Sequence, residues 1–183
     1  MSTSLRLTPH QYDQMIAKGA FVGFEKRIEL IHGELREMNP AGPAHCDYIN
    51  FLARWSFEST RDTSIVVSIQ NIIDADDSRP EPDITWLKPG RYAHRHPTGN
   101  DVLLVIEVAD SSLRFDRGEK LAIYASQNIP EYWIVDIADR CIEVFTGPEL
   151  DDYSNRRRVE VDGAVRPTCC PAAELKLADL FIL

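Results

Sequence analysis

Apolar positions recur along the chain with a period of roughly 3.6 residues in some stretches and about 2 in others, and the switches between them predict the elements. Thr8-Pro9-His10-Gln11 predicts a helix start: a threonine cap, proline at the first helical position, and glutamine three residues after the cap; Gly19 ends it. Lys26 to Met38 predicts a β-hairpin folded at His32-Gly33. From Pro43 to about Ser59, Tyr48, Leu52, Trp55 and Ser59 fall at helical spacing, and Ile49 and Phe51 widen the apolar face. Ser64–Ile69 is β-branched and predicts a strand, Ala75–Pro80 a turn, and Pro82–Leu87 a strand opening on proline, where a missing N–H does least harm. Val102–Val108 is almost wholly apolar, the pattern of a central strand covered on both faces. Phe115–Gln127 predicts a helix with Leu121, Tyr124 and Ala125 inward, followed by strands at Tyr132–Val135 and Cys141–Phe145. The tail from Glu149 to Leu183 is weakly patterned. This order predicts an α/β fold, a central mixed β-sheet flanked by helices with an N-terminal β-hairpin, as one domain over residues 1–183.

Composition narrows the class. Of 183 residues, 44% are hydrophobic and 27% charged, an ordinary globular balance. The opening MSTSLRLTPH lacks the apolar run of a signal peptide, and no later run reaches the ~18 apolar residues of a membrane span, so a soluble, cytoplasmic protein is expected. Cys46, Cys141, Cys169 and Cys170 form no CxxC pair and read as reduced and structural. The net charge of −9 counts against non-specific nucleic-acid binding, although an enzyme that gathers carboxylates to hold cations escapes much of that objection.

The one acid of the apolar strand, Glu107, needs a partner, because an isolated buried carboxylate costs several kcal/mol. Asp83, at the start of the preceding strand, is close enough to share a divalent cation with it, and such a hard-oxygen site favours Mg²⁺ or Mn²⁺. Lys120, in the following helix, can reach back to the same end of the strand. Taken alone, these three fit an inert ion pair with a capping aspartate better than a metal site, because ion-pair networks also cluster charges. Glu29 fits either a solvent-facing hairpin acid or a site residue, and His45 a proton shuttle, a phosphate contact or a local hydrogen bond. Asp116 reads as a helix cap, and Tyr132-Trp133 as core packing. The basic loop Lys88–His96 supplies Lys88, Arg91 and Arg95 as candidate contacts to a nucleic-acid backbone, ahead of Arg156-Arg157-Arg158.

Glu81-Pro82-Asp83, Ile106-Glu107-Val108-Ala109-Asp110-Ser111-Ser112, Asp116-Arg117, Lys120 to Ala125 and Ile129-Pro130-Glu131-Tyr132-Trp133-Ile134-Val135-Asp136 stand in a joint spacing, with Glu29, Gly33 and His45 ahead of them. Over about Thr8 to Phe145 the chain resembles the small putative restriction endonucleases often described as a domain of unknown function, within the PD-(D/E)xK nuclease superfamily. The resemblance implies a restriction-endonuclease-like core and a Mg²⁺- or Mn²⁺-dependent endonuclease acting on DNA, by family analogy as a homodimer. It implies Asp83 as the PD aspartate and Glu107 as the second acid, the Val108 carbonyl and Glu29 assisting at the metal. Ala109 stands where the superfamily has lysine, and Lys120 substitutes for it. A nuclease-like module that binds nucleic acid or protein without turnover is the alternative, and a purely structural domain a third reading.

Overall fold

The computed structural model describes residues 5–39 and 42–182; Met1 to Ser4, Pro40, Ala41 and Leu183 lie outside the described residues. Helix α1 (Pro9–Ala17) begins at the predicted capping box: the Thr8 hydroxyl accepts from the Gln11 N–H, and the Gln11 side chain accepts from the Thr8 N–H at 2.8 Å. The hairpin pairs β1 (Ile28–Ile31) with β2 (Glu34–Glu37). His32 (φ 50°) and Gly33 (φ 75°) are both left-handed, which suits the turn to the twist of a two-residue hairpin. The Tyr12 hydroxyl donates to the Ile28 carbonyl at 2.7 Å, tying α1 to β1.

Helix α2 (Pro43–Thr60) leads into β3 (Val66–Ile69), β4 (Ile84–Leu87) and β5 (Val102–Ala109). A helical stretch follows: α3 (Leu113–Phe115), a wider π-helical turn over Asp116–Lys120, and α4 (Leu121–Ser126). Next come β6 (Glu131–Asp136), β7 (Cys141–Glu149) and β8 (Asp152–Val159), then the short β9 (Ala164–Val165), β10 (Leu175–Lys176) and α5 (Leu177–Leu180). The main sheet has the order β3-β4-β5-β6-β7-β8; β5 and β6 run parallel and the other neighbours antiparallel, so it is mixed.

Two apolar layers cover the sheet. On one face Tyr48, Ile49 and Leu52 of α2 pack against Trp86, Leu104, Ile106 and Trp133. On the other, Leu121, Tyr124 and Ala125 of α4 pack against Val105, Ile134, Tyr132 and Phe145. Alternation along β5 sends Ile106 and Val108 to the α2 face and Val105 and Ala109 to the α4 face, which explains its almost unbroken apolar run. The weakly patterned tail is nonetheless ordered: β8 is the sixth strand, and Val165, Leu175, Leu177 and Phe181 close the α2 face. β8 is an edge strand, and its run of exposed polar positions hides the alternation that would have revealed it. Among the described residues, no helix is long and apolar enough to cross a membrane.

Candidate active site

The antiparallel register of β4 and β5 pairs Ile84 with Ile106, and continuing it by one residue puts Asp83 opposite Glu107. The Asp83 N–H points at Glu107 Oε2, 3.4 Å away, and the Val108 N–H donates to Asp83 Oδ2 at 2.9 Å. The two carboxylates therefore meet at one end of the sheet, and both are buried, at 2% and 3% exposure. Asp83 Oδ1 is buried without a hydrogen-bond partner. His45, in the first turn of α2, brings Nε2 to 3.5 Å from Asp83 Oδ2, beside the Val108 carbonyl; its Nδ1 is buried and unpartnered.

Lys120 comes from the opposite side. Its ammonium donates to Glu107 Oε1 at 2.8 Å and lies 3.9 Å from Glu29 Oε2. The Tyr124 hydroxyl donates to that same Oε1 at 2.7 Å, so two donors from consecutive helical turns hold one oxygen of Glu107. Glu29 is wholly buried on β1, where Arg27 approaches Oε1 at 3.2 Å, and Arg27 also reaches Glu81 at 3.8 Å. Hairpin alternation left the face of Glu29 open, and the structure turns it inward.

The electrostatics follow from this burial. Desolvation pushes Glu107 up to about 7, while Lys120 pulls the other way. Burial likewise raises Asp116 to about 6 and lifts Glu29 and Glu81 above the usual carboxylate range. Asp83 falls below its ordinary value despite desolvation, because the hydrogen bond from His45 and the Lys120 charge favour its anion. Desolvation opposes the charge on Lys120, but Glu107 and Glu29 outweigh it and raise its pKa, so it stays an ammonium.

A cavity of about 570 Å³ opens onto these groups, lined by Asp83, Glu107, Val108, Lys120, His45 and Asp116, with Arg27, Arg36 and Glu81 on its wall. Of these, Arg27, Arg36 and Glu81 had no part assigned from the sequence, and Asp116 was expected only as a helix cap, as Tyr124 was only in the core. The expected capping role of Asp116 fails: the helical stretch starts at Leu113, and Asp116 is buried inside the π-helical turn, accepting from the Ser112 hydroxyl at 2.6 Å. The wider turn keeps Asp116 and Lys120 both inward.

The basic loop leaves β4 at Lys88, the end away from Asp83; Lys88, Arg91 and Arg95 do not line this cavity, while His96 at the end of the loop lines the neighbouring groove. Arg95 is engaged locally, 2.6 Å from Asp101. The triple arginine lies on edge strand β8, with Arg156 paired to Asp152 and Arg158 to Asp139 and Glu160. Tyr132 and Trp133 are fully buried, as core residues are.

Comparison with known proteins agrees with this architecture. The sequence profile of the family Uma2, described as "putative restriction endonuclease", matches residues 9–178, carrying the likeness through the tail. Among curated proteins nothing matches significantly. The crystal structure of a protein described as a putative nuclease belonging to DUF820, from Anabaena variabilis, superposes with a TM-score of 0.76 at 14% identity, covering 96% of this chain and 98% of that one.

Proposed function

The chain belongs to the putative restriction endonuclease family, and from that premise we propose that it is a Mg²⁺- or Mn²⁺-dependent endonuclease that hydrolyses phosphodiester bonds of DNA. The observation that carries the reading is the pair of facing buried carboxylates, one of which keeps an oxygen, Asp83 Oδ1, without a partner. A buried carboxylate oxygen left unsatisfied is costly, and a hard cation satisfies it. Asp83, Glu107 and the Val108 carbonyl would hold the metal, with Glu29 as a neighbouring acid. Among the described residues, no three His, Cys, Asp or Glu side chains form a ready-made metal cage. An ion such as Mg²⁺ keeps several waters and takes one or two carboxylates plus substrate phosphate, and Asp83 and Glu107 would supply the carboxylates. When bound, the cation supplies Lewis-acid polarisation of the phosphoryl group and makes water easier to deprotonate.

The chain's own residues supply the rest. Lys120 holds a positive charge inside the cavity wall, aimed by its bond to Glu107, where it offsets the negative charge that builds on an attacked phosphate. Tyr124 and Lys120 occupy Glu107 Oε1 and leave Oε2 on the Asp83 side. The Val108 N–H and His45 fix the Asp83 carboxylate and favour its ionised form.

The test is incubation of labelled DNA with the protein in Mg²⁺, in Mn²⁺ and in EDTA. Cleavage in either metal, absent in EDTA and absent in Asp83→Asn, is expected. No cleavage of single-stranded or duplex DNA under any of these conditions contradicts the reading.

A further inference from the structure

Resting on the nuclease reading, we propose that the substrate is single-stranded DNA, with a base next to the reacting phosphate seated on an apolar shelf made by Ile16, Phe21 and Val22 and extended by the exposed ring of Phe24, which meets Phe21 edge-on. The shelf belongs to a second groove, of about 440 Å³, which shares Lys26, Arg27, Gln70 and Glu81 with the carboxylate cavity. The two form one trough, with the Asp83 and Glu107 carboxylates at one end, Lys26, Arg27, Gln70 and Glu81 in the middle, and apolar groups at the other. A nucleotide has that order of chemistry: an anionic phosphodiester joined through a polar sugar to a flat, weakly polar base.

The shelf lacks a partner among the described residues. Val22 is 85% exposed and Phe24 58%, on the segment between α1 and the hairpin. The Phe21 ring contacts Tyr12 at 5.7 Å and meets Phe24 edge-on at 6.0 Å, so the aromatic groups are braced from below. An exposed aromatic held in this way stacks any base, because every base has a π-face. Gln70 adds a second pointer. It has φ 47°, unusual for a residue other than glycine, and its N–H donates to the Asp83 carbonyl at 3.1 Å. The same residue lines both cavities, where a side-chain amide can meet a base edge.

Two further observations favour an unpaired strand over a duplex. Asp83, Glu107 and Lys120 are at most 3% exposed, below the protein surface. A duplex carries its phosphates on a stiff convex cylinder, whereas a single strand bends into a cleft. The net charge of −9, with Lys26 paired to Glu37 and Arg27 to Glu29 and Glu81, gives weak long-range attraction for the dense charge of duplex DNA. Stacking works at contact distance and makes up for that weakness.

The test measures binding of a labelled single-stranded oligonucleotide, and of the duplex of the same sequence, by fluorescence anisotropy in Ca²⁺, for wild type, Phe24→Ala and Phe21→Leu. Phe24 is exposed, and leucine at position 21 keeps an apolar contact with Tyr12, so both variants retain the fold; circular dichroism checks this. The single strand is expected to bind more tightly than the duplex, and each variant to weaken single-strand binding by about 5- to 150-fold, the loss of one stacked base, without changing duplex binding. Variants that bind like wild type, or a duplex that binds more tightly, overturn the proposal. So does a dimer, seen by sedimentation, that Phe24→Ala dissociates without affecting strand binding, since the shelf would then hold a second copy of the chain. The same oligonucleotides in Mg²⁺ and Mn²⁺ separate the two claims. Strand binding that depends on Phe24 without any cleavage supports the shelf and removes the nuclease; duplex cleavage indifferent to Phe24 supports the nuclease and removes the shelf.

Discussion

Lys120 carries its charge where charge is expensive, and this decides what its removal does. Two buried acids, Glu107 at 2.8 Å and Glu29 at 3.9 Å, depend on it. Replacement by methionine, which keeps the volume, strands those acids and is expected to cost about 3–5 kcal/mol in EDTA near pH 8, above the titration of Glu107, read from urea denaturation. Saturating Mn²⁺ is expected to recover part of that loss, while cleavage falls about 100- to 1,000-fold. Stability unchanged in EDTA would show that the acids are protonated and the ion pair absent. Tyr124→Phe removes one hydroxyl and nothing else. It is expected to weaken Mn²⁺ binding by a few-fold in calorimetry, consistent with about 1 kcal/mol for one hydrogen bond to an oriented carboxylate; an unchanged affinity would mean that Lys120 alone orients Glu107. At this scale the sequence was informative where a charge interrupts an apolar run, as Glu107 does. It was silent on Tyr124, whose ring belongs to the core while only its hydroxyl belongs to the site. Arg27 and Glu81 were equally hidden, because hairpin and loop residues reach the cavity only through tertiary contacts.

At the scale of elements, the hairpin acts as the wall that carries Glu29 and Arg27. Its turn depends on Gly33, where φ is 75° and a Cβ would sit 3.1 Å from both Arg6 Cβ and the Leu7 carbonyl. Gly33→Ala is expected to destabilise the protein by about 1–2 kcal/mol through backbone strain and crowding, measured as a lower urea midpoint at unchanged slope. An unchanged midpoint would show that the turn relaxes at no cost. The hairpin and α1 were readable from turn and cap chemistry, which is local, and α2 from the helical spacing of its apolar residues. The π-helical turn at Asp116–Lys120 was not: helical periodicity put Lys120 near the strand end but gave no sign that Asp116 is buried beside it. The basic loop follows Asp83 in sequence yet leaves its strand at the far end, so nearness in sequence does not bring Lys88, Arg91 and Arg95 to the carboxylates.

For the whole molecule, the cluster of raised acids sets a pH dependence. Glu107 at about 7 and Asp116 at about 6 hold protons in the folded state that their unfolded forms, near 4.5 and 3.8, release. The folded state binds more protons between these limits, so stability from these groups is fully present at low pH and is lost as pH rises through about 7. The metal-free protein is expected to melt at a lower temperature near pH 7.5 than near pH 5.5, with a smaller difference in Glu107→Gln. A melting temperature independent of pH, or rising across that interval, would contradict the burial of these charges. The succession of elements and the mixed sheet followed from the alternation of strands and helices, whereas the sixth strand and the closing tail did not, because a solvated edge strand lacks the apolar signal that marks a central one.

Asp83 and Glu107 are expected to hold a divalent cation, and calorimetric titration of Mn²⁺ into wild type and Asp83→Asn tests this most directly. Asparagine keeps the shape of the side chain and removes its charge. Wild type is expected to bind with a measurable heat and, at 100 times the dissociation constant, to gain about 2.7 kcal/mol of stability, while Asp83→Asn loses most of both. Equal binding by the two proteins, or binding by neither, would contradict the metal centre.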